Sequence, residues 1–237
     1  MSGHSHWATI KRKKADMDAK KSKGFAKIAQ EISVAAKQGG QDIQGNIRLR
    51  MVIDRAKELN MPAATIERAL KKALGQDASE NLWEILLEAR GPEGVALLIE
   101  GITNNKNRTI GEVRSLLEKN GGKIVEEGAM RWLFDLKGVV VITLSLACKK
   151  EDIELIAIEK GAEDIQEEEG TMLFYSSPAN LEQVRQAMQE CQAKVEALFL
   201  EWVPKEPIRI SDEINLQKLV EILEDHEDIQ RVFTNAS

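Results

Sequence analysis

The N-terminal segment carries the residues whose types and spacing best suit a chemical task. Lys11, Arg12, Lys13 and Lys14 form an unbroken basic run, and Trp7 lies just before it. Lysine and arginine bind phosphate oxygens, and an exposed indole stacks on an unpaired base for about 1–3 kcal/mol. The chemistry predicted for this segment is the binding of nucleic acid, RNA loops as well as DNA. Trp7 has an alternative role, in which it packs the segment onto the helices that follow.

The charge of the chain is distributed unevenly along its length. The 237 residues include 33 Lys and Arg against 39 Asp and Glu, a net charge of −6 that by itself disfavours a polyanionic partner. Residues 1–75, however, hold 16 basic and 7 acidic residues, which leaves 17 and 32 for the rest of the chain. A basic module on an acidic body indicates polyanion binding through one region. The alternative is a solvated lysine-rich helix with no such partner.

The sequence offers few residues that could form a catalytic or metal-binding site. His4 and His6 could supply half of a metal site, but the remaining histidine is the distant His226. Cys148 and Cys191 match no local metal-ligand spacing. Nucleotide-binding loops and nucleophile motifs are absent from the sequence. We therefore predict no enzyme activity, no metal, no cofactor and no small-molecule substrate.

The sequence also bears on the location of the protein. No apolar stretch approaches the ~20 residues of a membrane span. The basic N-terminal stretch lacks the apolar region of a secretory signal, and Asp16 and Asp18 interrupt it too early for a transit peptide. We expect a cytoplasmic protein without a membrane partner.

Three helices are predicted in the basic region. From Phe25, apolar residues recur at helical spacing until Gly39-Gly40, which is a stop signal. A second helix is predicted from its cap Asn46 to about Leu59, and a third begins near Pro62. Basic residues that these helices leave beside or opposite their buried faces are further candidate contacts to nucleic acid: Lys20, Lys23, Lys27, Arg48 and Arg50.

Beyond Gly75 the pattern becomes one of alternating strands and helices. From Val139 the order is βαββαβ, the ferredoxin-like pattern, which the strand Val195–Trp202 closes. The segments on either side are each incomplete, so we expect them to form one sheet together. Their strands include Met130–Leu136 before the ferredoxin-like unit and Ile229–Thr234 at the end of the chain.

The predicted fold class is α+β, with three domains. An N-terminal three-helix bundle with its basic arm takes residues 1–78. One α/β domain is formed by residues 79–138 plus 204–237, and a ferredoxin-like α/β domain, residues 139–203, is inserted in it. The acidic surfaces of the two α/β domains would repel loosely bound duplex and favour docking to proteins. A protein-binding adaptor is therefore the alternative to a nucleic-acid-binding protein.

The sequence resembles the YebC/PmpR family over essentially its whole length. The matching blocks include Gly3-His4-Ser5-x-Trp7, Asn46-x-Arg48-Leu49-Arg50, Asn60-Met61-Pro62, Gly91-Pro92-x-Gly94 and Asp228-Ile229-Gln230. His6 departs from the family, which usually has a lysine there, and so removes one positive charge from the arm. The first block adds residues to the expected nucleic-acid contacts: Gly3, His4 and Ser5.

The resemblance implies a three-domain, non-enzymatic regulator of gene expression. Two roles are attached to the family, namely DNA-binding transcriptional regulation and ribosome-associated assistance to translation at proline-rich stretches that stall. Both need a polyanion, so DNA and rRNA both remain open as partners. The residues favour RNA, because an arm with one aromatic side chain suits insertion among unpaired nucleotides.

Binding of single-stranded nucleic acid is expected to weaken steeply with salt. If about six basic residues pair with phosphates, log K falls with log[salt] at a slope of roughly −4 to −5. Fluorescence anisotropy with a labelled oligonucleotide over a salt series measures this slope. Replacing Lys11, Arg12, Lys13 and Lys14 with glutamate should flatten it, and an unchanged slope would contradict the assignment of these residues.

Overall fold

A computed structural model describes residues 21–74, 81–144, 149–168 and 170–236. Within these ranges the helices are α1 Lys21–Gly39, α2 Ile47–Glu58, α3 Ala63–Leu74, α4 Lys106–Lys119, α5 Lys150–Glu159, α6 Leu181–Glu190 and α7 Glu213–Glu224. The strands are β1 Trp83–Arg90, β2 Ala96–Thr103, β3 Lys123–Ile124, β4 Phe134–Thr143, β5 Ala162–Glu168, β6 Thr171–Ser176, β7 Lys194–Pro204 and β8 Ile229–Thr234. No helix in this part of the chain has the length and apolar character required to cross a membrane.

The basic region folds as the predicted three helices. Both α2 and α3 pack on α1, which is therefore the central helix. The apolar positions that recur at helical spacing form the shared core: Ile28, Ile32, Ala35, Ala36, Leu49, Val52, Ile53, Ala56, Met61 and Ala69. Burial of these one-sided faces, more than helix propensity, holds such short helices together.

The turn between α1 and α2 is built around the buried side chain of Asn46. Its oxygen accepts from the Leu49 N–H at 3.0 Å and so caps α2. Its amide group donates to the carbonyls of Ala35 and Gly40, at 2.9 and 2.8 Å. A Cβ at Gly39 would lie 2.6 Å from the Asn46 Nδ2, so the close approach requires glycine there.

The first α/β domain contains a four-stranded sheet in the order β3-β1-β2-β8. Each of its strand pairs is antiparallel. The central strand β2 is buried along almost its whole length. The helices α4 and α7 supply the apolar residues of the core on one face: Val113, Leu117, Leu216, Leu219 and Leu223.

The second α/β domain contains a four-stranded sheet in the order β5-β6-β4-β7. Numbered within the unit, this is the strand order 2-3-1-4, and α5 and α6 connect the strands as in a βαββαβ unit. The ferredoxin-like prediction is therefore confirmed, and the whole chain has the predicted α+β class. The strand β6 runs through the buried centre of this sheet.

One strand prediction is wrong. Residues Arg131–Leu133 form a 3₁₀ turn instead of the predicted strand Met130–Leu136, and β4 begins only at Phe134. The cause is the buried carboxylate of Glu88, which accepts three backbone N–H groups of this loop at 2.6–2.9 Å: those of Gly128, Met130 and Arg131. A backbone whose donors converge on one side chain cannot also pair as a strand. The edge position of the sheet is taken by the short β3.

The described chain divides into two compact units. One comprises the helical bundle with the first sheet, up to Phe134 and again from Pro204, and the other is Asp135–Val203. The segment predicted as an inserted domain, residues 139–203, lies within the second unit. The bundle and the first α/β domain thus share one unit, so they can build a site together.

Gly138 of β4 gives a test of packing in the second unit. A Cβ at this position would lie 2.8 Å from the Cβ of Leu181, at the start of α6. Gly138→Ala is therefore expected to lower the free energy of unfolding by about 1–3 kcal/mol. Gly111→Ala is the matched control, because Gly111 is helical with nothing within 4 Å of its added Cβ, and it should stabilise by about 0.5–1 kcal/mol. Urea unfolding compares the two, and equal effects would contradict the clash.

Candidate nucleic-acid interface

The predicted contacts of the N-terminal arm lie outside the described residues. These are Gly3, His4, Ser5, Trp7, Lys11, Arg12, Lys13, Lys14 and Lys20. Four predicted contacts remain to be placed, and Lys23 is the one that is exposed, near the start of α1. Of the other three, Lys27 and Arg48 make contacts within their own unit, and Arg50 is half-buried.

The prediction that Lys27 faces outward, opposite the buried face of α1, is wrong. Its ammonium donates to the backbone carbonyls of Glu224 and Ile229, each at 2.5 Å. Glu224 is the last residue of α7, and a helix C-terminus combines carbonyls without helical partners with a partial negative charge. Lys27 therefore joins α1 to the first α/β domain.

Arg48 also holds the bundle to the sheet. Its guanidinium forms an ion pair with Glu84 of β1 and donates to Gln38 Oε1 at 2.7 Å. Partial burial would lower the pKa of Arg48, but the hydrogen bond and the charge of Glu84 raise it instead. Arg50, on the same helix, is half-buried. These two arginines thus present less free charge than their positions in the sequence predict.

Away from the contacts of Lys27 and Arg48, a cleft separates the bundle from the first α/β domain. It has a volume of about 460 Å³. One wall is formed by α1 and α3, and the other by the start of α4 and the turn that precedes β8. Cationic side chains border it from both walls: Arg68 and Lys72 of α3, and Arg108 of α4.

Arg68 and Lys72 of α3 are not among the contacts predicted from the sequence, although their spacing is a signal for them. Ile66, Ala69 and Ala73 pack on the bundle core, and the same helical spacing places Arg68 and Lys72 one turn apart on another face. Both side chains are exposed. What the sequence does not reveal is that this face borders a second wall.

Arg108 is held in place by the buried carboxylate of Asp228. Its Nη2 donates to Asp228 Oδ2 at 2.7 Å, while Glu227 and Glu112 lie farther away, at 3.6 and 3.9 Å. The same Oδ2 accepts from the hydroxyls of two residues at 3.0 and 2.6 Å: Thr103 and Thr109. Burial alone would raise the pKa of Asp228, but these hydrogen bonds and the charge of Arg108 hold it below its ordinary value.

Glu112, His226 and Asp228 bring three potential metal-ligand atoms within 4.8 Å of one another. His226 Nδ1 accepts from the Asp228 N–H at 3.1 Å, so the proton of the neutral ring lies on Nε2, 2.9 Å from Glu112 Oε2. A metal ligand needs a free lone pair, and here the lone pair on Nδ1 already accepts a hydrogen bond. The arrangement therefore orders the turn before β8 and does not favour a metal ion.

The cleft is chemically suited to binding and not to catalysis. The hydroxyl of Ser33 lies 2.9 Å from the carbonyl of Ala29 and 3.0 Å from that of Ala69. It is thus engaged with the backbone and has no base beside it. The other lining groups are cations, amides, two carboxylates, the hydroxyl of Thr65 and apolar side chains.

The charge of Asp228 is expected to stabilise this unit in a pH-dependent way. Because its folded-state pKa is lowered, the contribution is present above the ordinary value of 3.8 and is lost as pH falls through the lower folded-state value. Asp228→Asn should therefore lower the free energy of unfolding by about 1–3 kcal/mol at neutral pH. The difference from the wild type should shrink at about pH 3.

Urea unfolding at the two pH values measures this difference. The neighbouring Glu227→Gln is the control, because the side chain of Glu227 is 75% exposed and its loss should change stability by less than about 0.5 kcal/mol. A loss for Asp228→Asn that grows in acid would contradict the role of the carboxylate.

The sequence and the fold match known proteins over nearly their whole length. Residues 5–76 match the TACO1/YebC protein N-terminal domain, and residues 82–236 match the TACO1/YebC second and third domain. A probable transcriptional regulatory protein of Caldanaerobacter subterraneus subsp. tengcongensis is 40% identical over 237 residues, which are 99% of this chain and 98% of that protein. One from Kosmotoga olearia is 43% identical, over 99% of this chain and 94% of its own length.

A solved structure has the same fold. The crystal structure of a conserved hypothetical protein from Aquifex aeolicus superposes with a TM-score of 0.85 at 38% identity, and covers 98% of this chain and 97% of its own. The relatives are named as probable regulatory proteins and not as enzymes, in agreement with the expectation that the chain is non-enzymatic. The two family matches together span almost every residue, and the chain belongs to the TACO1/YebC family.

Proposed function

We propose that this protein is a non-enzymatic regulator of gene expression that binds nucleic acid through its N-terminal third. The observation that carries the proposal is the charge distribution, with 16 basic and 7 acidic residues in positions 1–75 of an otherwise acidic chain. Exposed cations on the bundle add to those of the arm: Lys23, Arg68 and Lys72. The names of the relatives support a role in regulation.

The partner that these residues favour is RNA, and in the first place rRNA in the ribosome. The arm combines a basic run with Trp7, which suits irregular, single-stranded RNA. In this role the protein would assist translation, notably at proline-rich stretches that stall. In the bundle, α3 packs on α1, and its cations Arg68 and Lys72 face a cleft that is too small for a duplex.

Duplex DNA is the second candidate, favoured by the names of the relatives. A three-helix bundle can present a helix to a groove, with Arg48, Arg50 or Arg55 placed against it. Arg48, however, is paired with Glu84, so this helix would have to exchange an internal ion pair for a DNA contact.

A protein-binding adaptor remains the third candidate. Leu155 and Ile158 lie one turn apart on α5 of the second unit and are 63% and 57% exposed. Acidic residues flank them along the same helix: Glu151, Asp152, Glu154 and Glu159. In a nucleic-acid-binding regulator, this helix would serve as an auxiliary contact to a protein.

Ribosome cosedimentation compared with DNA binding, both at ~150 mM salt, tests the proposal under conditions that suppress loose electrostatic contacts. We expect the full chain to sediment with ribosomes and to show no selective binding to genomic DNA fragments. A variant with Lys11, Arg12, Lys13 and Lys14 changed to glutamate should lose the association, because four phosphate contacts become repulsive.

The control variant carries the same change of charge elsewhere. Lys119, Lys123, Lys149 and Lys160 are exposed on the α/β domains, and their replacement by glutamate should leave the association intact. Selective DNA binding without ribosome association would show that the partner is DNA and not the ribosome. Equal losses in both variants, or no association with either nucleic acid, would overturn the proposal.

A further inference from the structure

We infer that the cleft between the bundle and the first sheet binds one unpaired nucleotide of a single strand, with its base on the cleft floor and its phosphates at the cationic rim. The inference rests on the proposed function and adds a site to it. None of the residues that line the cleft was among the contacts predicted from the sequence.

The floor of the cleft is apolar and made of small side chains. Its residues are Ala26 and Ala29 of α1, Ala69 of α3 and Leu82, which precedes β1. Small residues on adjoining helices leave a shallow space in which a flat ring can lie against apolar carbon atoms. The volume of about 460 Å³ lies in the range of about 300–1,000 Å³ typical of small-ligand sites.

Two amide side chains are placed to meet the edge of a base. Gln30 lines the cleft, and its Oε1 accepts from Gln230 Nε2 at 3.1 Å. This hydrogen bond orients the side chain so that the NH₂ group of Gln30 is its remaining polar end. Asn104 lines the opposite wall. Amides supply both a donor and an acceptor, as the edge of an unpaired base requires.

The rim supplies positive charge from both walls. Arg68 and Lys72 are one turn apart on α3, and Arg108 lies across the cleft from them. Asp228 engages Nη2 of Arg108 and fixes the direction of the guanidinium, which has five donors in all. A phosphate beside the bound base can therefore meet the cations of α3 and the remaining N–H donors of Arg108, whose charge Asp228 balances. Glu227 is the one lining acid with a largely exposed side chain, and it opposes this interaction.

The geometry selects a single strand over a duplex. In a duplex the bases are stacked and paired, so a base enters the cleft only after unstacking and unpairing, at a free-energy cost that an unpaired base of a single strand avoids. A single strand offers unpaired bases together with a flexible backbone that can follow the rim. The shared chemistry is that of RNA and single-stranded DNA, and the test includes both.

The first test compares adjacent lysines of α3 in the full-length protein. Lys72 lines the cleft, whereas Lys71 is exposed on the same helix without lining it. Lys72→Ala should weaken binding of a short single-stranded RNA by about tenfold and reduce the salt slope by about 0.7. Lys71→Ala should change the affinity by less than about twofold.

The second test addresses the base separately from the phosphates. Ala26→Leu fills the floor of the cleft, and Ala64→Leu makes the same change at an exposed position of α3 outside it. Ala26→Leu should weaken binding by about tenfold with an unchanged salt slope, since no charge is lost. In the wild type, an RNA that contains 2-aminopurine should gain emission on binding as that base leaves its neighbours. This gain should vanish in Ala26→Leu and persist in Ala64→Leu.

A third variant is expected to increase the affinity for RNA. Glu227→Gln removes the acidic charge at the rim, and it should raise the affinity for RNA by about threefold. The same measurements with single-stranded DNA of equal sequence show whether the 2′-hydroxyl contributes. An unchanged affinity for RNA in Glu227→Gln would contradict the placement of phosphates at this rim.

Failure of this inference is distinguishable from failure of the proposed function. If the wild type binds RNA but Lys72→Ala and Ala26→Leu behave like their controls, the cleft is not the site and the proposed function stands. If the wild type binds no nucleic acid, both fail. If Lys72→Ala loses binding of a glutamate-rich peptide while its RNA affinity is unchanged, the cleft belongs to a protein partner and the inference is overturned.

Discussion

The wall of the cleft that the first sheet contributes depends on one buried carboxylate, that of Asp228. It ties together the end of β2, the start of α4 and the turn before β8 through Thr103, Thr109 and Arg108. Its backbone carbonyl also accepts from the Ile102 N–H at 2.8 Å. A group buried to this degree must be satisfied on every side, because an unmade hydrogen bond there costs about 1–3 kcal/mol. The position of Arg108 is thus a consequence of the fold and precedes any ligand.

The other wall is attached by cations that the sequence alone assigns to nucleic acid. Lys27 binds the carbonyls of Glu224 and Ile229, and Arg48 pairs with Glu84. Both residues therefore stabilise the junction of the bundle with the sheet. A count of basic residues overstates the charge that a ligand meets, since part of it is neutralised inside the unit. Among the described residues, Lys23 and Arg68 are cations that remain exposed, whereas Arg108 at the cleft rim is itself paired with Asp228.

The limits of sequence reasoning here have a common physical origin. Helical spacing predicts the core of the bundle well, because the buried face of each helix depends only on its own apolar residues. Helical spacing does not show whether the outward face of a helix meets solvent or a second layer of the protein. The prediction for Lys27 is wrong for this reason. The prediction of a strand at Met130–Leu136 is wrong for a similar reason, because the carboxylate that holds this loop belongs to Glu88, which lies far away along the chain. Arg68 and Lys72 follow the same helical spacing as the core, but only the fold places them across from Arg108.

The uneven charge of the chain acquires a physical purpose in this arrangement. An acidic body attached to a basic module repels the duplex and the structured RNA that a wholly basic protein would bind without discrimination. Under the proposed function, binding would depend on elements that an acidic surface does not cancel, namely a basic arm and a narrow cleft. Since the arm carries Trp7 and the cleft has an apolar floor, both elements reward unpaired bases in addition to phosphates. Under the proposed function, selectivity for single-stranded segments would follow from weak electrostatics combined with shape, and an increase in overall positive charge would strengthen binding while reducing that selectivity.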